Sequence, residues 1–153
     1  MDGKNGCGKS SLLKLLVDPK RSYNGKIDCA SNLIISYVSQ DTSFLQGTLT
    51  QYTKQYGIDE TLYKTLLRKM GFERWLFDQE IQSYSDGQKK KVMLARSLCE
   101  QAHLYIWDES LNFIDIYTRM QIEKMILASQ ATMLIVEHDI AFRKNVATKV
   151  VVL

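Results

Sequence analysis

Short apolar runs along this chain alternate with longer stretches of helical spacing. The run SLLKLLV predicts a helix over 9–17, closed by Asp18-Pro19 because proline cannot continue it. Ser22 to Gly25 reads as a turn, and Lys26–Cys29 and Leu33–Val38 as strands, the second (LIISYV) being apolar and β-branched. Between Thr48 and Glu80 the period lengthens. Leu62, Leu66 and Met70, with Leu67 beside them, form an i, i+4, i+8 stripe, with Asp59 as N-cap and Gly71 as stop. Phe72, Trp75, Leu76 and Phe77 follow and read as core. Beyond Ser85-Asp86-Gly87-Gln88, a helix buries Val92, Ala95 and Cys99, while Lys89, Lys90 and Lys91 read as its solvated face. His103–Trp107 is a short apolar strand. A turn at 112–115 leads to a helix through Ile122, Met125 and Ile126, then to a strand over 132–136, a helix over 140–145 and strand-like residues 149–153. This alternation predicts an α/β fold: a mostly parallel sheet flanked by helices, with an inserted helical subdomain at about residues 48–100.

The 153 residues suit one domain spanning 1–153. A hydrophobic content of 45% and a charged content of 24% leave room for a real core. The net charge of +3 is too small to argue for a nucleic-acid partner by itself. Cys7, Cys29 and Cys99 are odd in number and widely spaced, which suggests neither a disulfide framework nor a zinc site and fits a reducing cytoplasm. No apolar run approaches the roughly 18 residues that span a membrane.

The chemistry begins at Gly3–Ser11, GKNGCGKSS, which reads G-x-x-x-x-G-K-S. Glycines let the backbone approach phosphate oxygens, and successive N–H groups ahead of a helix N-terminus form an anion cradle. Lys9 supplies a mobile cation, and the Ser10 hydroxyl suits Mg²⁺. A plain glycine-rich turn before an ordinary helix is the alternative. Further polar residues sit at the ends of apolar strands: Gln40 after SYVS, Asp108-Glu109 after HLYIW, and Glu137-His138-Asp139 after TMLIV. Ligands bind at such strand ends in open α/β sheets. Of the two carboxylates after HLYIW, the first can hold Mg²⁺ through water and the second can polarise an attacking water. Taken singly, Gln40 reads as an ordinary polar loop residue, and His138 reads equally as a surface loop residue or a functional one.

A phosphate loop normally follows a buried strand, and here only Met1 and Asp2 precede Gly3. The expectation is therefore that the first strand, before the loop, is missing, as in a piece of a longer protein.

Together these residues resemble the nucleotide-binding domain of the ATP-binding-cassette (ABC) superfamily, a P-loop NTPase. Gly3–Ser10 matches its Walker A motif, Gln40 its Q-loop, Ser85-Asp86-Gly87-Gln88 its signature LSGGQ, Asp108 and Glu109 its Walker B pair, Asp115 its D-loop and His138 its switch histidine. Within the superfamily the chain looks most like the ABC-F group. The phrases GKNGCGKSSLLKLL and ISYVSQDTSFLQGTLTQY resemble the second cassette of antibiotic-resistance (ribosomal protection) members. The resemblance implies ATP and Mg²⁺ as cofactors. Gly3, Asn5, Gly6, Cys7, Gly8, Lys9, Ser10 and Ser11 would bind nucleotide; Ser10, Gln40 and Asp108 would organise the metal; Glu109, Gln40 and His138 would be catalytic. Ser85, Gly87, Gln88 and Asp115 would serve a nucleotide shared with a second cassette paired head to tail. It further implies a cytoplasmic protein whose partner is the ribosome, through rRNA and tRNA. Alternatives are the ATPase subunit of a membrane transporter, docked on a membrane-spanning domain, or a nucleotide-binding module without activity of its own. Tyr84 and Asp86 depart from the Leu and first Gly of LSGGQ, and Ser110-Leu111 from the usual Pro-Thr.

Overall fold

The computed structural model describes residues 1–4, 6–18 and 20–153. Its elements run α1 (Lys9–Val17), β1 (Ile35–Val38), α2 (Leu49–Tyr56), α3 (Glu60–Lys69), 3₁₀ turns at Arg74–Asp78 and Ile81–Ser83, α4 (Asp86–Cys99), β2 (Leu104–Asp108), α5 (Ile116–Ser129), β3 (Met133–Val136) and α6 (Ile140–Val146). The strands form one parallel sheet in the order β1-β2-β3, with Tyr37 opposite Ile106 and Ile106 opposite Leu134. The fold is thus α/β with a parallel sheet, as the alternating pattern predicts.

Parallel strands are covered on both faces, and β2 is the clearest case. Ile106 turns to one face, where it packs with Val136 and with Leu13 of α1. Trp107 turns to the other and joins the large cluster built with α4 and α5, its indole N–H donating to Ser97 Oγ at 2.9 Å. Helix α4 lies inside the molecule, with every residue from Val92 to Ser97 buried. Helices α2 and α3 pack beside it, and the Tyr63 hydroxyl donates to the Val92 carbonyl at 3.1 Å. Helix starts follow local capping chemistry. Thr48 with Gln51 and Ser85 with Gln88 each form a capping box, and Asp59, Asp115 and Asp139 cap α3, α5 and α6. Among the described residues no helix is long and apolar enough to cross a membrane.

Several expectations need correction. Lys26–Cys29 is not a strand. Ile27 is its one residue not fully exposed, so it has no apolar face to bury. The strand expected over Leu33–Val38 begins at Ile35, because Asn32 takes a left-handed turn (φ 62°) and the Ile34 carbonyl accepts the N–H of His103. Of the stripe expected on α3, Leu67 and Met70 are buried and Leu66 packs partly buried against the core, but Leu62 faces solvent and Tyr63 is buried in its place. Phe72 and Leu76 are core, but Trp75 is 59% exposed. Lys90 is buried and Lys91 pairs with Asp115, so the three lysines are not a solvated face. Helix α1 ends at Val17 with Asp18 as C-cap, and Pro19, the expected stop, lies outside the described residues.

The approach to the glycine-rich loop is a short piece of sheet. The Met1 nitrogen donates to Ile135 O at 2.6 Å, Asp2 N–H to Val151 O at 2.8 Å, and Leu153 N–H to Asp2 O at 3.1 Å. Asp2 and Val152 form a parallel bridge, so Met1-Asp2 lies between the end of β3 and residues 151–153, in the position of a strand leading into the loop.

Candidate active site

The loop 3–11 turns on glycine. Gly6 and Gly8 hold φ of 81° and 99°, left-handed values that a side chain resists. Lys9 opens α1 and is 5% exposed. Its ammonium donates to the carbonyls of Gly3 (2.7 Å) and Lys4 (3.0 Å), drawing the loop around its own cation. Cys7 is exposed at the loop crest, and Asn5 lies outside the described residues. Beside the loop is a cavity of about 340 Å³ lined by Gly6, Gly8, Lys9, Ser10, Ser11, Gln40 and Glu109.

Of the two carboxylates at the end of β2, Glu109 lines this space and Asp108 is linked to it through Ser10. Asp108, 1% exposed, accepts the Ser10 hydroxyl at 2.9 Å, and the Tyr37 hydroxyl lies 3.5 Å from its other oxygen. Burial, and then the negative charge of Asp108, raise the Tyr37 phenol above its ordinary value, so it stays a neutral donor. Glu109 leaves the strand with φ 47°, a left-handed value for a non-glycine residue, and its N–H is held by Val136 O at 3.1 Å. Its carboxylate collects three groups from three loops: Gln40 Nε2 at 3.2 Å, His138 Nε2 at 3.3 Å and Asn112 Nδ2 at 3.4 Å. His138 is set by its neighbours. Glu137, 3% exposed, accepts the His138 N–H, and Asp139 both caps α6 and pairs with Arg119.

Ser10, Asp108 and Gln40 together offer a hydroxyl, a carboxylate and an amide oxygen. Hard oxygen donors in this small number suit Mg²⁺ that also takes oxygens from phosphate and water. Among the described residues no cluster of three His, Cys, Asp or Glu side chains suggests a different, protein-caged ion.

The structure thus brings together Lys9, Ser10, Gln40, Asp108, Glu109 and His138. It puts the signature residues elsewhere: Ser85, Gly87, Gln88 and Asp115 do not line the cavity. Ser85 and Gln88 bond to each other in the cap of α4. Gly87 lies against the Phe113 backbone, where a Cβ would come 2.6 Å from the carbonyl oxygen. Asp115 accepts the Thr118 N–H and hydroxyl and, at 2.8 Å, the Lys91 ammonium. Burial pushes its carboxyl up, but Lys91 and Thr118 together hold it well below the usual carboxylate range. Tyr37, Lys90 and Asn112 escape a sequence reading. Only Lys90 left a signal there, sharing a helix face with Leu94 and Ser97 at i+4 and i+7.

A parallel sheet whose strand ends meet a glycine-rich loop and its helix is the fold of a P-loop NTPase, here of the ATP-binding-cassette type. The chain belongs to the ABC transporter family, whose profile matches residues 1–112. It is 32% identical over 155 residues to the ATP-binding protein Uup of Buchnera aphidicola, covering 96% of this chain and 26% of that protein. It is 27% identical to ABC transporter F family member 2 of Arabidopsis thaliana, covering 97% of this chain and 23% of that protein. Among solved structures it superposes, with a TM-score of 0.81 and 28% identity, on a chain of the complex of archaeal ribosomal stalk protein aP1 and archaeal ribosome recycling factor aABCE1. That superposition covers 98% of this chain and 31% of the other. The chain therefore spans roughly a quarter to a third of the length of each of these proteins.

Proposed function

We propose that the chain is an ATP-hydrolysing cassette that works in an ABC-F-type cytoplasmic protein with the ribosome as its partner. The observation that carries the catalytic part is the convergence of Gln40, His138 and Asn112 on the Glu109 carboxylate, beside Lys9 and the Ser10–Asp108 pair. In this reading the loop amides and Lys9 hold the β- and γ-phosphates, and Glu109 accepts a proton from the attacking water while His138 and Gln40 orient it. Mg²⁺, held by Ser10, Gln40 and Asp108, would supply charge neutralisation on the phosphates. Ser85, Gly87, Gln88 and Asp115 serve a nucleotide bound by a second cassette in head-to-tail pairing, in keeping with their positions outside this chain's own cavity. One cassette then carries two half-sites, and turnover requires the pair.

The ribosomal part is supported by the likeness to an ABC transporter F family member and to a ribosome recycling factor. The finer assignment, to the second cassette of an antibiotic-resistance protein, rests on the phrases GKNGCGKSSLLKLL and ISYVSQDTSFLQGTLTQY. The protein is expressed in its natural context carrying Glu109→Gln, lysates are given ATP, and its distribution between sucrose-gradient ribosomes and the membrane pellet is followed. Co-sedimentation with ribosomes, lost on adding Lys9→Ala, is expected, together with altered growth in ribosome-directed antibiotics for the resistance assignment. Recovery in the membrane pellet makes it a transporter motor instead.

A further inference from the structure

Lys90 is the one member of the Lys89–Lys91 run that points fully inward, at 3% exposure. Its ammonium donates to two consecutive main-chain carbonyls, Ser39 O at 3.1 Å and Gln40 O at 2.6 Å. Desolvating an ammonium is costly, and a methionine of similar length would avoid that cost, so the charge is retained against a standing penalty. Its effect falls on the backbone of the residue whose side chain reaches Glu109.

Lys90 also completes a row. Arg96 donates to Tyr37 O, the Ser97 and Ser36 hydroxyls lie 2.7 Å apart, and Ser36 donates to Glu100. Helix α4 is thus fastened to the chain from Ser36 to Gln40. Ser85, the cap of α4, stands five residues before Lys90, roughly 7.5 Å along the helix axis.

We infer that Lys90 is a positioning residue: it fixes the backbone at Ser39–Gln40 so that the Gln40 amide meets Glu109. The inference rests on the nucleotide reading above for what Gln40 does, but not for how Gln40 is held.

The test has two arms on the 153-residue chain. In the first, hydrogen exchange is followed by mass spectrometry in the parent, Lys90→Met and Lys90→Arg. Faster exchange across residues 39–43 in Lys90→Met, recovered in Lys90→Arg, with the loop 3–11 unchanged, is expected. Unchanged exchange at 39–43 overturns the inference. In the second arm, binding of a fluorescent ATP analogue is titrated with Mg²⁺. Lys90→Met is expected to raise the Mg²⁺ midpoint about tenfold, the low end for loss of an outer-sphere partner. The effect should not add to that of Gln40→Ala. A midpoint equal to the parent's, or full additivity, overturns the positioning role. If the parent binds no Mg·ATP, the nucleotide reading fails while the exchange arm still decides how Gln40 is held. Circular dichroism checks folding, and Lys90→Gln replaces Lys90→Met where the latter does not fold.

Discussion

The backbone of Gly87 lies so near Phe113 that an added Cβ would sit 2.6 Å from the Phe113 carbonyl oxygen. The third residue of the Ser85–Gln88 motif is thus fitted to its own chain, where α4 passes under the loop between β2 and α5. In an open helix, Gly→Ala would stabilise by up to about 1 kcal/mol. Here the obstacle is backbone, which cannot rotate aside, so overpacking should prevail. Gly87→Ala should lower stability by about 1–2 kcal/mol, read by urea denaturation. A gain in stability would show that the loop moves freely.

Glu109 pairs a left-handed backbone with a carboxylate that holds three partners. A left-handed non-glycine residue costs about 1–2 kcal/mol. Strain of this kind persists where the surroundings fix it, commonly at functional sites. Glu109→Gly should therefore fold at least as stably as the parent while losing the group that collects Gln40 and His138. A denaturation midpoint well below the parent's would mean that those exposed contacts outweigh the strain.

Asp115 ties α5 to α4 through Lys91. Its folded pKa lies below the unfolded value of about 3.9, so its contribution is present above that pH and is lost as pH falls below it. Asp115→Asn keeps an N-cap oxygen for Thr118 but loses the charge. Because the ion pair is partly exposed, the loss at neutral pH should be under about 1 kcal/mol. Asp115→Ala loses the cap as well and should cost about 1–2 kcal/mol. Melting curves between pH 5 and pH 2 should show a shallower acid decline for Asp115→Asn. Parallel declines in parent and variant would assign the acid limb to other carboxylates.

The α3 register can be checked by a pair of substitutions. Leu67 is fully buried and Leu62 is 49% exposed. Leu67→Ala should cost about 2–5 kcal/mol. Leu62→Ala should stay within about 0.5 kcal/mol of the parent. Comparable losses at the two positions would return Leu62 to the buried stripe expected from spacing.

That pair also shows what a sequence can and cannot display. Spacing found α3, its Asp59 cap and its Gly71 stop, because caps and periods are local. It misplaced only the first residue of the stripe, taking Leu62 for Tyr63, because both are apolar and packing against α4 decides which is covered; Leu67 and Met70 are buried as expected. Ser10, Gln40, Asp108, Glu109 and His138 were legible because each follows or opens an apolar element, where parallel strands bring their ends together. Beyond the helix face it shares with Leu94 and Ser97, nothing in the sequence marks Lys90: it is one of three lysines, and its burial depends on two carbonyls 50 and 51 residues away. Lys26–Cys29 failed in the opposite sense, since a strand needs a face to bury and the fold supplies none there.

If the loop at Lys9 and the Ser10–Asp108 pair hold Mg·ATP, equilibrium binding of ATP to the chain with and without Mg²⁺ shows it. Saturable binding is expected that Mg²⁺ strengthens, that Lys9→Ala abolishes, and whose Mg²⁺ dependence alone is lost in Asp108→Asn. Binding indifferent to Mg²⁺, or retained in Lys9→Ala, would contradict it.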